Sequence, residues 1–193
     1  CIHNDDNINK ALGAFQTAID LDSYYADAYV GLAEAQLRSF ILTKDTNYLT
    51  LMAHTVEQLT HVNKSHRLLP YLQGELTLKQ GKYQLAIQLF KKNIALTPNF
   101  LTAYIGLSNA YLALGELAYA EQVLLNAQKI MPTNTLILNN LGVFYYSNGD
   151  YRLAIDSFDK LAQQAPNNFI AYLNISACYY LIGDINQAIV SVK

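Results

Sequence analysis

Residues 101–134 read LTAYIGLSNAYLALGELAYAEQVLLNAQKIMPTN, and residues 135–168 follow at once with TLILNNLGVFYYSNGDYRLAIDSFDKLAQQAPNN, so one 34-residue pattern is written twice. Tyr104, Leu107, Tyr111, Gly115, Ala120, Leu124, Ala127 and Pro132 in the first copy are matched by Leu138, Leu141, Tyr145, Gly149, Ala154, Phe158, Leu161 and Pro166 in the second. Self-similarity at a fixed period of this length indicates stacked repeats rather than one closed core. Positions 4, 7, 8 and 11 of each copy share one face of a helix, and positions 20, 24 and 27 share one face of a second. Each copy therefore predicts a helical hairpin. Gly115 and Gly149 stand where the first helix must end, and glycine reaches the left-handed conformation that helix C-termini use. Pro132 and Pro166 stop the second helix and push the residue before them toward extended geometry. Small residues at positions 8 and 20, Gly142, Ala120 and Ala154, let the paired helices approach closely.

The period and residue classes resemble the tetratricopeptide repeat. That repeat carries a large apolar residue at position 4, Leu-Gly at 7 and 8, Tyr at 11, Ala at 20, Phe at 24, Ala at 27 and Pro at 32. The departures are Ser108 at position 8 of the first copy and Leu161 at position 27 of the second. The resemblance implies an all-α fold, a right-handed superhelix (α-solenoid) of antiparallel helix pairs. It also implies a binding module without catalysis of its own.

The rest of the chain falls into the same register as a single array: a partial repeat over 1–25, a lengthened repeat over 26–66, repeats over 67–100, 101–134 and 135–168, and a partial repeat over 169–193. About eleven helices are expected. Ala11, Phe15 and Ala18 occupy positions 20, 24 and 27, which makes Asn7 to Asp22 a second helix. Between Ala26 and His66 the period stretches to 41 residues, and Met52, Val56 and Leu59 arrive seven residues late. Either the helices there are longer or a loop over Thr43 to Asn47 bulges out, with Thr46 or Asn47 capping the next helix. Repeat 67–100 is recognisable from Gly81, Tyr83, Ala86, Phe90 and Pro98, with Pro70 near its start. Gln73 stands in its usual Leu position and predicts poorer packing. Tyr172, Ile175, Tyr179, Gly183 and Ala188 continue the pattern. Because the array opens and closes in mid-repeat, the expectation is a piece of a longer protein. The rival reading takes Cys1 as the acylated first residue of a bacterial lipoprotein.

Composition bounds the partners. Hydrophobic residues make up 52 % and charged residues 15 % of the 193, which describes a folded chain. A net charge of -2, with thirteen Lys and Arg scattered along the chain and only Lys91 and Lys92 adjacent, argues against nucleic acid as a partner. No run of 18 apolar residues reads as a membrane span. The phosphate loops, zinc motifs and nucleophile elbows that signal enzymes are missing, so neither catalysis nor a cofactor is expected. His54 and His61, seven apart on a helix, lie about 10 Å from each other, too far to chelate one metal. Cys178 reads as a small buried apolar residue. A cytoplasmic location is expected, with a periplasmic or Cys1-anchored chain as the alternative.

In tetratricopeptide arrays the first helices line a concave groove through positions 2, 5, 6, 9, 12 and 13. The resemblance places Ile105, Asn109 and Leu112 there in one repeat, Asn139, Asn140, Val143 and Tyr146 in the next, and Leu173, Asn174, Ala177 and Tyr180 in the last. No Asp, Glu, Lys or Arg occurs from Ile130 to Gly149 or from Leu161 to Gly183. The expected partner is accordingly a protein or peptide with few charges. Asn140 and Asn174, both at position 6, each carry one acceptor and two donors for the backbone of an extended peptide; packing between helices accounts for them equally well. Tyr146 and Tyr180 add contact area with a polar tip. The clamp by which chaperone-binding members hold a carboxylate is incomplete: Asn109 and Asn140 fit it, but Ile105, Ile170 and Asn174 replace its cations. A further alternative is self-association through exposed apolar ends.

A second resemblance covers the N-terminal third. Lys10 to Asp22, followed by Tyr25 to Ala33, is similar to the start of tetratricopeptide regions attached to bacterial winged-helix regulators and Ser/Thr kinases, which also carry a lengthened repeat here. Ser23 stands where those have Pro. The resemblance implies a sensory or regulatory module.

Overall fold

Glycines at fixed offsets and prolines at fixed offsets cut the chain into helices, and the structure shows how. Gly81, Gly115, Gly149 and Gly183 all adopt positive φ, between 76° and 91°, at the end of a first helix. Thr97, Met131 and Ala165, each followed by Pro, share one extended geometry near φ -136°, and each turns its N–H back to the carbonyl four residues earlier. The computed structural model describes residues 2–191, with side chains from Asn7 onward. Cys1, on which the lipoprotein reading turns, and Lys193 lie outside the described residues, as does the side chain of His3.

Among the described residues there are eleven α-helices and no strand: α1 (Ile2–Leu21), α2 (Ala26–Thr43), α3 (Asn47–Asn63), α4 (Leu69–Lys79), α5 (Tyr83–Leu96), α6 (Leu101–Ala113), α7 (Leu117–Ile130), α8 (Thr135–Ser147), α9 (Tyr151–Gln164), α10 (Phe169–Ile182) and α11 (Ile185–Val190). The fold is all-α, of the α-solenoid class. The helices gather into two compact units, one ending at Leu114 and the other beginning at Gly115.

In the first unit each of α1 to α6 packs on its neighbour in sequence, and α4 also touches both α2 and α6 directly. Phe90 is the pivot. It is fully buried, and a Cβ added at Gly74 or Gly106 would come within 2.8 Å or 2.5 Å of its ring. Small residues here let two first helices close over one aromatic side chain. Tyr29 and Tyr104, both at position 4, donate their hydroxyls to the carbonyls of Ser23 and Pro98, six residues back, at 3.1 and 3.0 Å. Each bond ties a first helix to the loop that enters it. Asn93 is wholly buried; its amide donates to the Arg67 carbonyl at 2.8 Å while Thr97 donates to its oxygen at 3.2 Å.

The lengthened repeat is lengthened in its helices. α2 has 18 residues and α3 has 17, against 13 and 14 in α8 and α9. The connecting turn lies where expected, but neither Thr46 nor Asn47 caps α3 through its side chain. Lys44, at φ 60°, closes α2, and the Asp45 carboxylate accepts the Asn47 N–H at 2.9 Å. Asp is the stronger acceptor in this turn and sits two residues back, where an Asx turn needs it. α1 likewise begins at Ile2, five residues before the expected Asn7, because nothing in that stretch breaks a helix. Gln73 is half-buried and borders an open cleft of about 380 Å³ between α3, α4 and α5, in keeping with its replacing a Leu.

In the second unit α7 packs on α8, α8 on α9, α9 on α10 and α10 on α11. Leu138, Leu141, Gly142 and Tyr145, at positions 4, 7, 8 and 11, are all buried, and Gly142 lies against the Phe158 ring with no room for a Cβ. Leu161, the substitute for Ala at position 27, is buried as well. Asn134 caps α8, its side chain accepting the N–H groups of Leu136 and Ile137 at 3.0 and 3.2 Å.

Candidate functional site

The buried stripe of α8 decides which of its side chains reach solvent. With positions 4, 7, 8 and 11 committed to the core, Asn139, Asn140, Val143 and Tyr146 face outward; the first two are half-buried and the last two exposed. α10 repeats the arrangement: Ile175 and Cys178 are buried, Leu173 is 51 % and Tyr180 66 % exposed, and Asn174 and Ala177 are half-buried. Both helices pack on α9. The Tyr146 ring is held edge-on to Tyr151, centroids 5.8 Å apart, which fixes an exposed aromatic at one end of the α8 stripe.

The two asparagines differ. Asn140 donates from its amide nitrogen to the carbonyl of Leu136, one turn back in its own helix, at 2.8 Å. That bond leaves its oxygen and one N–H turned outward. Asn174, half-buried, has no hydrogen-bond partner among the described residues. None of the eight side chains carries a charge. The remaining expected residues lie on α6 in the first unit, where Ile105 and Leu112 are half-buried and Asn109 is exposed.

An open cleft of about 610 Å³ also borders the α10 stripe. It is lined by Asp159, Phe169, Tyr172, Leu173, Ile175 and Val190, with Ser191 at its end, and of the expected groove residues it includes Leu173 alone. Asp159 sits among apolar side chains. Lost hydration, and then the neighbouring Asp156 charge, raise its carboxyl above the usual range. Cys178 is wholly buried in α10 and its thiol is pushed up to about 11 by burial, so it is protonated at neutral pH and unsuited to attack. His54 and His61 are exposed on α3.

A cleft of about 400 Å³ in the first unit was not anticipated. Phe15 of α1, Gly31, Glu34, Arg38 and Ile41 of α2, and Tyr71 of α4 line it.

Residues 77–141 match one model of the tetratricopeptide repeat, and residues 135–168 match a second. Residues 77–168 thus carry tetratricopeptide repeats, and repeats of this kind build interaction scaffolds. The chain is 23 % identical over 153 residues to anaphase-promoting complex subunit 3 of Schizosaccharomyces pombe, a match covering 76 % of this chain but only 23 % of that protein. The chain thus spans about a quarter of that relative. Among solved structures, pilF of Pseudomonas aeruginosa superposes with a TM-score of 0.69 at 16 % identity, over 97 % of this chain and 82 % of the other. YrrB, a tetratricopeptide protein with an unusual peptide-binding site, gives 0.57 at 19 % identity over 94 % and 90 %. Identities this low establish a shared fold and nothing finer.

Within the tetratricopeptide numbering the unanticipated cleft had a signal. Glu34 and Glu75 both stand at position 9, and Arg38 and Lys79 both at position 13, in consecutive repeats.

Proposed function

We propose that the tetratricopeptide scaffold captures a peptide or partner segment with few charges on the face formed by α8 and α10. The observation that carries this reading is the run of uncharged, solvent-reaching apolar, amide and tyrosine side chains at positions 5, 6, 9 and 12 of both helices. An ionic ligand there would lose water without gaining a counter-charge, which costs binding energy. A neutral extended segment loses less, and its backbone N–H and C=O groups find the outward amide atoms of Asn140 and Asn174. Tyr146 and Tyr180 supply broad apolar area with a polar end, the composition that favours interfaces.

The test is affinity selection from a random-peptide library, run on the chain and on the Asn140→Ala plus Asn174→Ala double variant. Peptides poor in charged residues, enriched by the parent and lost by a double variant of unchanged melting temperature, are the expected result. Equal enrichment by both proteins would reduce the two asparagines to packing.

A second reading makes the chain the sensory part of a bacterial regulator or kinase. The observed extension of both α2 and α3 supports it, since those tetratricopeptide regions also carry a lengthened repeat at this point. A parent sequence with an upstream effector domain decides for it.

A further inference from the structure

The turn that leads into α4 is tied down differently from the turns that lead into α2 and α6. Those two helices carry Tyr29 and Tyr104 at position 4, and each hydroxyl donates to a carbonyl of the entering turn. In α4 position 4 is Pro70, which has no group to do this. His66 takes over from inside the turn. Its side chain is only 11 % exposed, and both ring nitrogens are engaged. Nδ1 accepts the Leu68 N–H at 3.2 Å, and Nε2 lies 3.1 Å from the Asp27 carboxylate in the first turn of α2. The His66 backbone is committed as well, its N–H donating to the Asn63 carbonyl and its carbonyl accepting the Leu69 N–H, both at 3.0 Å. From α5, the Asn93 amide donates to the Arg67 carbonyl at 2.8 Å.

These bonds fix the state of the ring. A backbone N–H can only donate, so Nδ1 bears a lone pair; a carboxylate can only accept, so Nε2 bears the proton. That tautomer is the neutral imidazole. A second proton goes to Nδ1 and stands opposite the Leu68 N–H, donor against donor, so the charged ring keeps Asp27 and gives up Leu68. Leu68 is the N-cap of α4, a helix that enters without a side-chain cap and packs on α2, α3, α5 and α6. The other charged or titratable groups of the elements meeting here are Asp22 ahead of α2, His61 at the end of α3, Lys64 and Arg67 in the turn itself and Lys92 beside Asn93 on α5; α4 contributes no charge before Glu75. Among the described residues none of them pairs with the ring.

We infer that His66 is a proton-operated latch on the α3–α4 turn. Neutral, it bridges Asp27 of α2 to the Leu68 N–H and closes the entry of α4; protonated, it holds Asp27 alone and lets that entry loosen. Histidine changes charge between about pH 5 and 8, whereas a tyrosine hydroxyl, which ties the turns into α2 and α6, does not. The acid response is local, because the gain at Asp27 and the loss at Leu68 oppose each other in overall stability. The latch lies within the first unit and is independent of the α8–α10 face.

The test follows the His66 ring nitrogens and the Leu68 amide by NMR on the nitrogen-labelled chain between about pH 8 and pH 5. At the alkaline end the Nε2–H tautomer is expected. Toward the acid end the protection of the Leu68 amide against hydrogen exchange falls roughly three- to tenfold, the worth of one hydrogen bond, in step with protonation of the ring. His66→Asn separates the readings. Its side-chain oxygen accepts the N–H two residues on, as Asn63 already does for Ser65 at 3.1 Å, so the turn is kept while the proton-sensitive acceptor is gone. Leu68 protection in that variant stays level over the same range, although His54 and His61 are still present to titrate. An Nδ1–H tautomer in the parent, Leu68 protection that does not follow the ring, or the same response in His66→Asn overturns the assignment.

Discussion

The two units use one repeat to build different surfaces, and the difference turns on position 6 of the first helix. In the first unit that position is Gly31 in α2 and Gly106 in α6; in the second it is Asn140 in α8 and Asn174 in α10. Where glycine stands, α6 closes on α4 until the Glu75 carboxylate lies 3.0 Å from the point a Cβ would occupy on Gly106. The Glu75 side chain is drawn into that tight packing and is buried. Where asparagine stands, α8 and α10 are bridged by α9, and an uncharged stripe is left open to solvent. One repeat can therefore change its surface chemistry from one unit to the next without changing its core pattern.

The largest test of the contrast removes the aromatic pivots. Phe90→Ala and Phe158→Ala each delete a fully buried ring and should cost about 3–5 kcal/mol in urea unfolding. Phe90 should sit at the upper end, because Gly74 and Gly106 from two first helices close over it whereas Gly142 alone meets Phe158. A larger loss at Phe158 would mean that contact between first helices is not what distinguishes the units.

Glycine substitutions come next. A Cβ at Gly142 meets the Phe158 ring, which is 1 % exposed and has nowhere to go, so Gly142→Ala should cost about 1–3 kcal/mol. Gly31→Ala meets the half-buried Phe15 ring, which yields toward solvent, and should cost clearly less on thermal unfolding. Equal costs would show that the cleft beside Gly31 is as rigid as the second unit's core.

The helix entries differ in kind as well. α8 begins on a side-chain cap, and Asn134→Ala should cost about 1 kcal/mol and speed amide exchange at Leu136 and Ile137. α2 and α6 have no such cap and rely on Tyr29 and Tyr104. Loss of stability without faster local exchange would place the role of Asn134 outside the cap.

The smallest effect is electrostatic and concerns Glu75 in the first unit. Burial raises the Glu75 carboxyl above its ordinary 4.5, so the folded chain holds that proton more tightly than the unfolded chain. The stability this adds is complete below about pH 4.5 and is lost as pH rises through the elevated value. Glu75→Gln removes that loss: its melting temperature should exceed the parent's near neutrality and match it in acid. The partly exposed Lys79 contact at 4.0 Å is too weak to reverse the sign. A variant less stable at neutral pH would show that Glu75 is satisfied by a contact stronger than Lys79.

Much of this was legible in the residues, for physical reasons that are local. Positions 4, 7, 8 and 11 share a face whatever surrounds the helix, so the burial of Leu138, Leu141, Gly142 and Tyr145 followed from spacing, as did the exposure of Val143 and Tyr146. The left-handed glycines and the extended residues before Pro98, Pro132 and Pro166 follow from backbone sterics alone. Less legible were choices between near-equal local options. The turn after α2 offered three polar residues in a row, and Asp45 rather than Thr46 or Asn47 makes the bond to the entering helix. Asn140 could have pointed wholly outward, but it turns one N–H onto Leu136.

By itself, then, the sequence determined the helical repeat, its register, the ends of most helices and the uncharged character of α8 and α10, because each of these depends on side chains within one or two turns of one another. Only the tertiary structure decided that the extra residues of the long repeat lengthen α2 and α3, and that Tyr71 of α4 is buried beside the cleft it lines with α1 and α2. Those outcomes depend on helices far apart in sequence competing for the same space and the same water, and no local spacing records who wins.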